Sequence, residues 1–244
     1  MATVYNTEIV RDGLTFYMDM MNAKSYSGTG NKINDLSGLE KNATIFNNLP
    51  FDSSQNGGAF NFQADSSEYI RIDSDFLIPS SASGHNSLRE PFTLSMWIQR
   101  IGGGTIVSRA SGNRSLQMRF AGGGTAGGKI ALVNSMHENI GTFDNSALKQ
   151  NQTYNITLTR EASGVTSTFK LYMNGTTTNP DDGTTIGTLT YTSLFNADTD
   201  TIGRNPNGEP VNAYVYAVSS YSRVLTDVEI LQNFNALKHR YSNV

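Results

Sequence analysis

Apolar and polar residues alternate with a period of two along most of this chain, the mark of strands with one face in a core. Leu14, Phe16 and Met18 alternate with Thr15, Tyr17 and Asp19. Phe92, Leu94, Met96 and Ile98 alternate with Thr93, Ser95, Trp97 and Gln99. Tyr154, Ile156 and Leu158 repeat the pattern, as do Phe169, Leu171 and Met173. Shorter runs read as strands at 59–62, 69–72, 105–108, 116–120, 129–133, 189–191 and 214–218. Each run sends one row of side chains into a core and the other toward solvent or a neighbour. Turn formers stand between the runs, among them Asn56-Gly57-Gly58, Gly102-Gly103-Gly104, Gly122-Gly123-Gly124, Asn174-Gly175 and Asp182-Gly183. They supply the positive φ angles of tight hairpins, and the glycine triplets read as hairpin tips. Many short strands with frequent turns predict an all-β fold, an antiparallel β-sandwich or jelly roll. No charge block, linker or repeat divides the sequence, so residues 1–244 read as one domain.

The period changes only near the C-terminus. Thr226-Asp227-Val228-Glu229 has the form of a capping box, with Thr226 as N-cap and Glu229 three residues on. Ile230, Leu231, Phe234, Leu237 and Tyr241 follow at helical spacing. Lys238, His239 and Arg240 fall in the last turn, where cations suit the helix dipole. The spacing predicts one short helix over 226–241 that closes the sandwich, or else docks another subunit.

Composition narrows the classes of function. The net charge is −3 with 16% charged residues, and no basic stripe of the kind that nucleic-acid binders carry is present. There is no cysteine, which removes disulfides, thiolate metal sites and cysteine nucleophiles and suits assembly in a reducing cytoplasm. The first residues lack a basic segment followed by an apolar one, so no signal peptide is read, and no apolar run is long enough to span a membrane. Without an export signal, the five Asn-x-Ser/Thr sequons at Asn42, Asn113, Asn151, Asn155 and Asn174 read as a by-product of composition. His85, His137 and His239 are widely separated and form no zinc-binding frame. No G-x-S-x-G elbow and no phosphate-binding glycine loop ends in the required residues.

Three stretches together carry a resemblance. The first is Gly13-Leu-Thr-Phe-Tyr-Met-Asp19, with Lys24–Gly28 and Asp35-Leu-Ser-Gly38. The second is Pro91-Phe-Thr-Leu-Ser-Met-Trp97, followed by Thr153–Thr159 and Lys170-Leu-Tyr-Met-Asn-Gly175. The third is Tyr221-Ser-Arg-Val-Leu225 running into Glu229–Asn235. In this order they resemble the laminin-G-like, concanavalin-A-like lectin jelly roll of phage and marine-virus structural proteins. The resemblance implies a non-catalytic virion structural protein: a capsid decoration protein, or a head- or tail-fibre module. Its implied partners are other virion proteins, capsid or fibre subunits, and cell-surface glycans. It would be made in the host cytoplasm and reside in the virion. The alternative is a stand-alone carbohydrate-binding lectin or adhesin. A glycoside hydrolase is the third reading, and it meets an obstacle. Glucanases of this fold use two glutamates about 5 Å apart. On a strand that requires acids at i, i+2 and i+4, and no Glu-x-Asp-x-Glu run exists; Glu8 with Asp12 lacks a third acid in phase, and Asp198 with Asp200 lacks a glutamate.

Sugar recognition needs a ring for the apolar face of the sugar and amide or hydroxyl partners around it. Trp97, the only tryptophan, is opposite in parity to the core row of its strand. It either stacks on a ligand or packs under loops or the closing helix. Tyr172 is a similar candidate, and Arg119 beside the glycine tips could grip an acidic sugar. No cofactor is expected, with a structural calcium left open. Related lectin folds often use one, and it takes six to eight oxygens. Asp19 and Asp35, Asp181 with Asp182, and Asn196 with Asp198 and Asp200 are the candidate ligands, against the alternative that these residues serve their own turns.

Overall fold

A computed structural model describes residues 8–64, 67–72, 90–110, 116–121, 128–133, 139–163, 166–192, 199–205 and 208–241. In chain order the first strands are β1 (Leu14–Asp19), β2 (Lys32–Ile33), β3 (Ala43–Phe46), β4 (Phe51–Asp52), β5 (Ala59–Phe62) and β6 (Tyr69–Ile72). Then come β7 (Phe92–Arg100), β8 (Gly104–Ala110), β9 (Leu116–Ala121), β10 (Lys129–Val133) and β11 (Asn139–Thr142). The last are β12 (Thr153–Ser163), β13 (Thr166–Met173), β14 (Thr188–Thr192), β15 (Thr199–Ile202) and β16 (Ala213–Tyr221), followed by the helix α1 (Asp227–Leu237). One sheet runs β14-β13-β12-β7-β16-β5-β4, with β1 also paired to β16; the other runs β11-β10-β9-β8-β15-β6-β3-β2. All pairings are antiparallel, so the expected all-β sandwich with one short C-terminal helix is what the chain forms.

The main core lies between the sheets. Phe92, Leu94, Met96 and Ile98 of β7 and Ile156 and Leu158 of β12 meet Val107, Met118, Phe120, Ile130 and Leu132 from the opposite sheet. The expected alternation between a buried and an outward row takes a different form in the central strands. Thr93, Ser95, Trp97, Asn155, Thr157 and Thr159 are also buried, because α1 lies across that outer face. A second apolar cluster forms there from Ile9, Val10, Tyr17, Trp97, Tyr172, Tyr216, Tyr221, Leu225, Ile230, Leu237 and Tyr241. The molecule therefore has three layers, with a polar-lined strand face sealed by the helix. In β16 a register shift between Val215 and Ala217 flips the parity. Val215 and Val218 thus both enter the main core, while Tyr216 and Ala217 join the second cluster.

Charged groups close the ends of the main core. Arg100 is fully buried and donates to the carbonyls of Gly102 and Leu148. Arg160 donates to Ser167 Oγ and the Glu90 carbonyl, and burial pulls its pKa down to about 10. Arg109 of β8 faces Asp200 of β15 at 3.6 Å, both almost wholly buried. Gly104 is not a free hairpin tip: at φ +111 a Cβ there would lie 1.9 Å from the Pro210 carbonyl oxygen, so only glycine lets the two segments approach. The triplet 122–124 lies outside the described residues.

The helix begins as its sequence predicts. Thr226 Oγ1 accepts from Glu229 N at 3.3 Å, and Glu229 Oε2 accepts from Thr226 N at 2.8 Å. Arg223 grips the same carboxylate through two nitrogens at 2.6 and 2.9 Å. The α-helix ends earlier than its periodicity suggests, at Leu237, and the three basic residues form a 3-10 turn instead of its last α-turn. The tighter turn brings Arg240 back onto β1, where it donates to Asp19.

Candidate functional site

The outer face of the helix-bearing sheet is closed along its centre and open at one end. Along the centre, Trp97 is 2% exposed. Its ring stacks on Phe234 with centroids 5.6 Å apart and on Tyr241 at 4.3 Å. Tyr172 is equally buried; its hydroxyl donates to Asp227 at the start of the helix at 2.6 Å, and Lys170 lies over its ring. These two rings are positioned as the floor beneath α1. Arg119 lies on the outer face of the opposite sheet, half-buried, 3.5 Å from Glu209.

The open end is a groove of about 540 Å³ between the last turns of the helix and the connection from β13 to β14. One wall is Phe234, Lys238 and Tyr241; the other is Asn174, Thr176, Pro180 and Asp181, with Gln152 between them. Its shape follows from local sequence. Asn174 and Gly175 both take positive φ, turning the chain sharply after β13. A Cβ on Gly175 would lie 3.0 Å from Phe234 and 3.1 Å from Leu231, so the helix seats directly on this turn. Asn174 Oδ1 accepts from Asn155 N at 2.9 Å, which orients the amide. Further on, buried Asn179 holds the connection by donating to the carbonyl of Asn145 and accepting from Asp181 N.

The groove combines a ring, amides and hydroxyls with little reactive chemistry. Phe234 is half-buried, and Lys238 Nζ stands 5.6 Å from its ring centre. Asp181 is the only carboxylate among the described lining residues, and both of its oxygens are engaged. Oδ2 accepts from the Tyr154 hydroxyl at 2.6 Å and Oδ1 from Lys149 Nζ at 3.0 Å. Burial, then the bond to Asp181, pushes the Tyr154 hydroxyl far above its ordinary pKa, so it stays a donor. Burial also raises Tyr241 well above the usual range. Glycoside hydrolysis needs two carboxyl groups in distinct states, one acid and one base or nucleophile; the described residues of this groove include one, Asp181, and it is fully bonded.

The calcium candidates are spread through the fold. Asp19 accepts from the Tyr17 hydroxyl, Met21 N and Arg240, under the helix tail. Asp35 organises its own turn by accepting from the backbone of Tyr17, Ser37 and Lys41 and from Ser37 Oγ. Asp200 faces Arg109 in the core, while Asp198 and Asn196 lie outside the described residues, as do His85, His137 and Asn113. Among the described residues no group of three His, Cys, Asp or Glu side chains converges as a metal site would require. Sequence reasoning named Phe234 and Tyr241 only as a helical stripe and Asn174 only as a turn and sequon; Gln152, Thr176 and Lys238 gave no local signal as groove residues.

A family model described as the concanavalin A-like lectin/glucanases superfamily matches residues 73–231. No curated protein sequence matches. Among solved structures, the binding domain of Paraclostridial Mosquitocidal Protein 1 is similar, with a TM-score of 0.62 and 15% identity over 93% of this chain and 52% of that one. The ligand binding domain of botulinum neurotoxin serotype D in complex with N-acetylneuraminic acid is similar at a TM-score of 0.61 and 15% identity, covering 92% of this chain and 51% of that one. The binding domain of botulinum neurotoxin DC in complex with rat synaptotagmin II gives 0.61 and 16%, covering 93% and 52%. The chain thus spans about half the length of these structures. At such low identity the likeness shows the fold alone.

Proposed function

The chain belongs to the concanavalin A-like lectin/glucanases superfamily, and from that premise we propose that it is a non-catalytic, lectin-like binding domain that takes a saccharide in the groove beside its helix. The observation that carries this reading is the groove itself: two aromatic rings, two amides, a threonine hydroxyl and one cation around a concavity, with the one carboxylate among its described residues already bonded. Carbohydrate sites have this composition, apolar lining with a few convergent polar groups. The similar structures solved with N-acetylneuraminic acid and with synaptotagmin II are binding domains for a sugar and for a protein. They support recognition as the use of this architecture, although each is about twice as long as this chain.

The domain would work as a virion part, a capsid decoration protein or fibre module attached to other virion subunits. The ordered resemblance to phage and marine-virus structural proteins and the absence of cysteine support this placement. A glycan array with the intact protein tests the site. Binding that falls at least tenfold in Lys238→Ala and Gln152→Ala, with melting temperature kept, is the expected result. Array binding unchanged by both variants would place the site elsewhere, and release of reducing ends from any bound polysaccharide would make the protein an enzyme.

A further inference from the structure

A sheet grows by pairing at its edges, and natural edges are usually blunted by shortness, charge, bulges or cover. Most edges here are. β2 and β4 are two residues long and carry Lys32 and Asp52. β11 has four residues including Gly141, and its register with β10 shifts between Leu132 and Val133. β1 has one strand partner, but its other side is covered: Tyr17 bonds Asp35 and Leu36, and Asp19 N bonds Ser25.

β14 is packed against β11 on its inner face, where a Cβ on Gly141 would lie 2.7 Å from Leu189, but its outer backbone edge carries no charge and no bulge. Thr188-Leu-Thr-Tyr-Thr192 pairs with β13 in unbroken register, from Thr166 opposite Thr192 to Lys170 opposite Thr188. It holds no charge and no proline, and among the described residues no strand pairs with its other side. Its three threonines are exposed. Leu189 and Tyr191 point toward the main core but stay half-buried. Four half-buried apolar residues fringe that core, and three of them, Ile140, Leu189 and Tyr191, lie along this margin.

We propose that β14 is a self-association edge, at which a second copy of this chain adds its own β14 antiparallel about a two-fold axis through Thr190. The strand is complementary to itself. Reversed about Thr190, it sets Thr188 opposite Thr192 and Leu189 opposite Tyr191, on one face a row of threonines and on the other aliphatic–aromatic pairs. Such cross-strand pairs each contribute roughly 0.2–1 kcal/mol, and a two-fold contact uses each of them twice. A different protein would need no such symmetry. The axis is normal to the sheet, so both helices and both grooves end on the same face of a continuous sheet. Two weak sites held together gain avidity, which extends the binding role without depending on it.

Sedimentation of the intact protein over a concentration series tests this. The expected result is a monomer–dimer equilibrium populated by about 100 μM, as suits a small interface. Thr190→Lys and Thr190→Glu each place like charges opposite one another at the axis and should be monomeric with unchanged melting temperature. An equimolar mixture of the two should recover the dimer. A wild-type protein that stays monomeric overturns the proposal and leaves the edge to a strand from a different protein. Dimers that persist in both variants, or a mixture that stays monomeric, overturn it as well.

Discussion

Trp97 sits where two roles compete, a ring for a ligand and a ring for packing. With Phe234 and Tyr241 stacked on it and 2% of its surface exposed, its contribution is to hold the helix down. Truncating a buried tryptophan removes its burial and leaves a cavity, together worth about 3–5 kcal/mol. Trp97→Ala should therefore lower unfolding stability by that amount in urea titrations. A loss under about 1 kcal/mol would mean the aromatic layer collapses to fill the space. Asp200 is read differently once its surroundings are known. It faces Arg109 inside the core, and removing one partner of a buried pair strands the other charge, at a cost of about 3–5 kcal/mol. Asp200→Ala should be destabilised to that extent, measured by the same titration. Near-native stability would show that Arg109 finds another route to solvent or to a carboxylate.

The helix is fixed by electrostatics at its start and by aromatic packing along its length. Arg223 and the Thr226 cap hold the Glu229 carboxyl well below its ordinary value, at about 2. Hydrogen bonds from Tyr172 and then Lys170 lower Asp227 as well. A carboxyl with a depressed folded-state pKa stabilises above its unfolded value and loses that contribution as pH falls through the folded one. Docking of α1 should thus weaken from about pH 4.5 down to about pH 2. Trp97, the sole tryptophan, lies beneath the helix and reports the change by fluorescence. Glu229→Gln should flatten this acid limb; an unchanged acid limb in that variant would assign the transition to other carboxylates. The capping box and the apolar stripe were readable before the fold because both are local, spanning one or two turns. The end of the helix was not. Its basic residues form a 3-10 turn because Arg240 reaches Asp19, more than two hundred positions away in sequence.

Across the entire molecule, the strands with strong alternation, such as 92–98 and 169–173, appear where their pattern puts them. β2 and β4, at two residues each, have too few positions for a period to register, while β3, β11 and β15 mix threonine, asparagine, glycine or aspartate among few apolar residues and are defined by the neighbouring strands that pair with them. The groove was equally illegible. It brings Gln152, Asn174 and Lys238 together from separate elements, and none is unusual in its own segment. The sequence by itself determined the β-sandwich, the single closing helix with its cap, and the absence of a catalytic acid run, because these depend on spacing between near neighbours. Only the tertiary structure decided that Trp97 and Tyr172 are floor, that Asp19 and Asp200 answer arginines, and that the helix end and the β13–β14 connection leave an opening. Those outcomes depend on which outer face the helix covers and on which strands pair across the sheets, and both are settled by packing between residues far apart in the chain.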